Sequence, residues 1–237
     1  MSYVSYQTRM AAQATVNERV EFLKKVYVHL GGAILGWIAL MTVLYNSSFG
    51  QNLASSLASN WIILMIAFMA AGHFASKWAF QMGNPTKQYL GLGLYVVAQA
   101  VIFMPLLMYV KAIAAAKGVP VTNMIGSAGI ITGVTFGGLT LTALVSKKDF
   151  SFLGRALQLL SFAALGMIIV SWVFSGVQLG DFFAMAMVVL MGGYVLYYTS
   201  TIMRQFPIGS HVAASLALFS TIATMFYYVL MLVSSRD

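Results

Sequence analysis

Seven uninterrupted apolar stretches, each close to the roughly 20 residues that a helix needs to cross the hydrocarbon core of a bilayer, dominate this chain and decide its fold class. They run over about 26–45, 61–79, 88–110, 123–145, 152–174, 182–203 and 212–233. Short connections rich in turn formers separate several of them: Asn46-Ser47-Ser48, Gly83-Asn84-Pro85, Lys117-Gly118-Val119-Pro120 and Pro207-Ile208-Gly209. Membrane β-strands are excluded by length, because each would need only about ten residues of alternating pattern. Only 8% of the 237 residues are charged and 60% are hydrophobic. A soluble domain carries about 25% charge on the surface it shows to water. The expected architecture is an all-α membrane protein with seven transmembrane helices.

The sizeable polar segment is 1–25. There Val16, Val20 and Leu23 recur at helical spacing, and Glu21 stands four residues before Lys25. This predicts a short amphipathic amino-terminal helix on the membrane surface, with 26–237 forming the bundle. The net charge of +8 reflects 13 basic against five acidic residues. Ten of the basic residues fall on one side of the predicted spans: Arg9, Arg19, Lys24, Lys25, Lys77, Lys87, Lys147, Lys148, Arg155 and Arg204. Lys111, Lys117 and Arg236 fall on the other. The asymmetry predicts a cytoplasmic amino terminus and an outside carboxyl terminus. The basic excess then serves orientation, and nucleic acid is not an expected partner.

Bundling in lipid requires close backbone approach. Gly129, Gly133 and Gly137 form a stripe at four-residue spacing, with Gly126 and Gly138 nearby, and Gly32 and Gly36 stand in the same relation in the first span. Both read as tight-packing faces. The 16 methionines read as flexible apolar filler.

Little catalytic chemistry is available. The chain has no cysteine, which removes disulfides, thiolate metal sites and cysteine nucleophiles. It has no His-Glu-x-x-His, Gly-x-Ser-x-Gly or Walker pattern. Neither enzymatic activity, a cofactor nor a bound metal is expected. The acids Glu18, Glu21, Asp149, Asp181 and Asp237 all lie outside mid-membrane positions, so a carboxylate-driven proton-coupled transporter is disfavoured. His73, four residues before Lys77, reads as an imidazole packed in the bundle, or as a pH-responsive group lining a cavity. The other polar positions inside the spans are neutral, among them Gln99, Thr132, Thr140, Tyr198, Thr221 and Thr224.

Four segments, in order, resemble motifs of the Bax inhibitor/YccA membrane family: Gly93 to Gln99 with Pro105-Leu106; the loop from Lys147, Lys148 and Asp149 through Gly154; Tyr194 to Ser200; and Ala213 to Phe219 with the ending Ser234 to Asp237. The resemblance implies a seventh helix placed centrally among the other six. It implies either modulation of a membrane-bound AAA protease and the stress response, in a bacterial inner membrane, or a calcium or other cation leak. In eukaryotic members it implies suppression of cell death. Family leaks are gated by a carboxylate pair on the sixth and seventh helices. Here the matching positions are Tyr198 and Thr221, neither of which titrates near neutral pH. Calcium prefers carboxylate oxygens, so such a switch is not expected to operate. The candidate gate or interior positions are therefore Tyr198, Thr221, Thr224, His73 and Gln99, beside the loop motif Lys147, Lys148 and Asp149.

Overall fold

A computed structural model describes residues 9–146, 148–174 and 179–235. Eight helices form it: α1 Val16–Asn46, α2 Ser48–Ser59, α3 Trp61–Ala79, α4 Pro85–Ala116, α5 Val121–Val145, α6 Leu153–Val173, α7 Asp181–Arg204 and α8 His211–Ser235. All but α2 are long and apolar enough to cross a membrane, and the protein is an integral membrane protein.

The helix starts follow from local chemistry. Thr15 opens α1 with a reciprocal cap: its hydroxyl accepts from the Glu18 amide at 3.3 Å, and the Glu18 carboxylate accepts from the Thr15 amide at 2.9 Å. The Glu21–Lys25 pair forms at 2.8 Å. The amphipathic turns and the first span make one unbroken 31-residue helix. Asn84 caps α4 through the Lys87 amide at 3.1 Å, with Pro85 in the first turn, where its missing N–H is harmless. The turn glycines Gly83, Gly118 and Gly209 have φ of 87°, 67° and 106°, which side chains disfavour. Each lies in a connection expected from the sequence.

Helix α2 was not expected. The sequence reads Ser48–Ser59 as part of a connection, yet Ser47 caps a helix there by accepting from the Gly50 amide at 3.0 Å. Gly50 and Ala54 are buried, and the helix packs on α1 and α4.

Helix α8 is the core. It packs against α1, α3, α4, α5 and α7, and Leu218, Phe219, Ala223, Met225 and Leu230 are fully buried along it. The Ser215 hydroxyl, also fully buried, donates to carbonyls of α1 Val26 at 2.8 Å and of His211 at 2.6 Å. Helix α6 lies at the periphery against α7, with most of its apolar side chains facing outward.

Two packing expectations are corrected. Gly126, Gly129 and Gly133 of α5 are exposed, and a Cβ on any of them, or on Gly137, meets no atom within 4 Å. The stripe does not pack within the bundle. Gly32 and Gly36 of α1 are likewise exposed to open space. Close approach falls instead to Gly91 of α4, where a Cβ would lie 2.6 Å from the Ala75 carbonyl oxygen and 2.8 Å from the Ala79 amide nitrogen of α3.

The amino-terminal residues are docked. The Ala11 amide donates to the Phe206 carbonyl at 2.9 Å, and the Ile208 amide donates to the Arg9 carbonyl at 3.0 Å. Arg19 reaches back to carbonyls of Ala11 and Ala12 at 3.0 and 3.2 Å. These contacts fasten the chain start to the α7–α8 turn.

Candidate functional site

The interior around α8 is aromatic. Trp37 of α1 meets Phe103 of α4 edge-on at 4.8 Å, and Phe219 and Phe226 of α8 at 5.8 and 5.7 Å. Edge-on contact is the geometry that ring quadrupoles favour. Next to this plug lies a small polar cluster. The Gln99 amide donates to the Tyr95 hydroxyl at 3.2 Å, the Tyr95 ring meets Phe219 at 6.1 Å, and Ser220 neighbours the same hydroxyl.

Two threonine hydroxyls of α8 are spent on their own helix. Thr221 is buried and donates to the Ala217 carbonyl at 2.9 Å; Thr224 donates to the Ser220 carbonyl at 2.8 Å. Tyr198 belongs to a tyrosine group on α7, stacked on Tyr194 at 5.5 Å and tilted against Tyr197 at 5.1 Å. Tyr194 shares a 2.9 Å hydrogen bond with Ser161 of α6. No hydrogen bond joins Tyr198 to Thr221 among the described residues. Thus Gln99, Thr221 and Tyr198 border the interior, with Tyr95, the partner of Gln99, also near Tyr198.

His73 is corrected. It is exposed on α3, as is Lys77, so it neither packs in the bundle nor lines an interior cavity. Helix α3 is apolar nearly all round, so its sequence gives the position of His73 along the helix and not its direction.

The loop motif has a defined role in the structure. Oδ1 of Asp149 accepts from the Ser151 amide at 2.9 Å, the Ser151 hydroxyl at 2.6 Å and the Ser200 hydroxyl of α7 at 3.0 Å. Ser200 in turn accepts from the Phe150 amide at 3.0 Å. Arg204 stands 3.7 Å from the same carboxylate, and its guanidinium donates to the Lys148 carbonyl at 3.4 Å. The Ser151 hydrogen bonds, and then Ser200 and Arg204, hold the Asp149 carboxyl below its usual range. Gly154 completes the contact: a Cβ there would sit 2.7 Å from the Tyr197 ring. Lys147 lies outside the described residues.

The loop and the Tyr194–Ser200 segment therefore meet face to face, although some fifty residues separate them. Ser200, Ser151 and Arg204 are the working partners of Asp149, and sequence reading had singled out none of them as site residues. The signal was present in the loop, since Asp-x-Ser is a local turn pattern.

A family model described as inhibitor of apoptosis-promoting Bax1 matches residues 19–237. The chain belongs to this family. No curated protein matches it. As a Bax inhibitor family member, the chain keeps the seven-span bundle around a central last helix. Its Tyr198 is stacked on Tyr194, and its Thr221 is bonded to its own helix backbone. No group of three or more His, Cys, Asp or Glu that could hold a metal occurs among the described residues.

Proposed function

We propose that this Bax inhibitor family protein acts by binding, as a non-enzymatic modulator of a membrane-bound AAA protease, in a bacterial inner membrane with its amino terminus in the cytoplasm. The observation that carries the reading is the interior: an aromatic plug of Trp37, Phe103, Phe219 and Phe226 beside α8, with Thr221 and Thr224 bonded to their own backbone. A calcium path needs several oxygen ligands, and this arrangement supplies none that point at a common centre. The surface offered to a cytosolic partner is the basic end, where the docked amino terminus, the Asp149 loop and Arg204 lie together.

Co-purification of the full-length protein with membrane proteases, together with protease turnover in its presence, tests this proposal. Binding and slowed turnover are expected. Deletion of residues 1–19 is expected to weaken both, because it removes Arg19 and the turn that Arg19 holds. Unchanged binding and turnover in that deletion would sink the reading.

One observation favours a cation leak as the second reading. The buried hydroxyls of Thr132 and Thr140 on α5 have no hydrogen-bond partner among the described residues, and such groups can face a narrow water file. Calcium-dye flux in vesicles from about pH 5 to about pH 8 separates the two readings. The binding reading expects no flux above empty vesicles.

A further inference from the structure

The flank of the bundle between α1 and α4 holds a groove of about 360 Å³. Gly32 and Gly36 line one wall and Gly93 the other, with Val28, Leu92 and Val96 completing it. A helix glycine usually serves either a close helix contact or a strained turn. These three serve neither, because a Cβ on each meets nothing within 4 Å and none has a positive φ. Their effect is to keep the groove open, which is glycine's other use, backbone approach by a ligand. From His29 to Gly36 the groove runs about 10 Å along α1, roughly a third of the hydrocarbon core.

One end of this apolar groove is polar. His29 Nδ1 lies 2.7 Å from the Lys25 carbonyl, and its Nε2 lies 2.9 Å from the Tyr89 hydroxyl of α4. A carbonyl only accepts, so Nδ1 carries the proton and Nε2 of the neutral ring accepts from Tyr89. The His211 ring of α8 lies 4.7 Å from that of His29. The cluster thus joins three helices at one level. Lys24 and Lys25 precede His29 by five and four residues, and Lys87 precedes Tyr89 by two. Of the nearby acids, Glu21 is paired with Lys25 and Glu18 is held in the Thr15 cap. The polar end therefore carries net positive charge.

An apolar slot opening sideways into the bilayer, with a basic hydrogen-bonding end one turn inside the polar segment of α1, matches one kind of molecule in shape and charge. We infer that the α1–α4 groove is a binding site for an anionic phospholipid of the leaflet at the basic end. Its acyl chain lies along Gly32, Gly36 and Gly93. Its phosphate sits at the level of His29 and Tyr89, at the lysine-bearing end of the groove. The site is independent of any protease partner or ion path.

The full-length protein, stripped of lipid in a neutral detergent, is titrated with phosphatidylglycerol, phosphatidylcholine and inorganic phosphate, and binding is read by native mass spectrometry. Phosphatidylglycerol is expected to bind at least tenfold more tightly than phosphatidylcholine, about 1.4 kcal/mol. Inorganic phosphate is expected not to compete. Filling the groove with Gly36→Leu is expected to weaken phosphatidylglycerol binding at least tenfold. Gly93→Leu, from the opposite wall, gives the same reading should the first variant not fold. Gly133→Leu, on the exposed face of α5, is expected to leave binding unchanged. His29→Gln with Lys87→Gln is expected to erase the preference for the anionic lipid while phosphatidylcholine binding persists. Equal affinity for the two lipids overturns the assignment, as does full competition by phosphate alone. So does undiminished binding by whichever groove-filling variant folds.

Discussion

The Asp149 carboxylate and the Ser200 hydroxyl meet at 3.0 Å, and through that bond the α5–α6 loop is latched to the far end of α7. The two residues belong to different recognisable segments of the sequence, so the family pattern marks the two halves of one contact. The same carboxylate orders its own loop through Ser151 and faces Arg204.

The latch makes a prediction about pH. The folded Asp149 pKa lies below the ordinary value of 3.8. A depressed carboxylate contributes stability that is fully present above the unfolded pKa and is lost as pH falls through the folded one. Asp149→Asn is therefore expected to lower the thermal midpoint at pH 7. The gap to the parent protein should close as pH drops below about 3.8. A gap of constant size across that range would show that the carboxylate charge is not what holds the loop.

Gly91 separates close packing from open surface. In Gly91→Ala the new methyl would press on the Ala75 carbonyl and the Ala79 amide, both backbone atoms that cannot swing aside. Overpacking of this kind costs about 1–3 kcal/mol. Gly133→Ala meets nothing within 4 Å and should be neutral or slightly stabilising, since Ala is the better helix former. Unfolding in mixed detergent, compared for the two variants, checks the contrast.

The glycines also show how much was legible. Run length in a bilayer nearly dictates span number, because a spanning helix needs about 20 mostly apolar residues, and the seven spans follow from that. Spacing reveals that a stripe exists, but a helix that is apolar on every face carries no mark of which side meets the protein. The sequence therefore assigns Gly133 and His73 to the right helices and the wrong direction. Helix α2 escaped for another reason. Its sequence, rich in serine and only 12 residues long, has the composition of a loop, and burial of Gly50 and Ala54 rather than propensity holds it. The Asp149 latch was half legible, since the motif was visible while its partner lay some fifty residues away in sequence.

The aromatic plug carries the largest single stability term to be tested. Trp37→Ala removes a buried indole from contact with Phe103, Phe219 and Phe226, and large-to-small core changes of this kind cost about 3–5 kcal/mol. Trp37→Phe keeps most of the volume and should recover more than half of the loss. In vesicles, Trp37→Ala also probes whether the plug closes the interior. Calcium flux that appears in Trp37→Ala and is absent from the parent protein would show that the plug is a seal.

Ser215 ties the central helix to α1, and its contribution should be modest despite complete burial. Its hydroxyl has one proton for two acceptors, the Val26 carbonyl of α1 and the His211 carbonyl of its own helix. Both carbonyls also accept helical backbone hydrogen bonds, so neither is stranded when the hydroxyl is removed. Interhelical hydrogen bonds inside membranes average only about 0.6 kcal/mol. Ser215→Ala is therefore expected to cost less than about 1 kcal/mol. Ser215→Val, which places two methyls against the α1 backbone, should cost more, because α8 has no free space on that side. A larger loss in Ser215→Ala than in Ser215→Val would mean that the hydrogen bond, and not packing, sets the distance between α1 and α8.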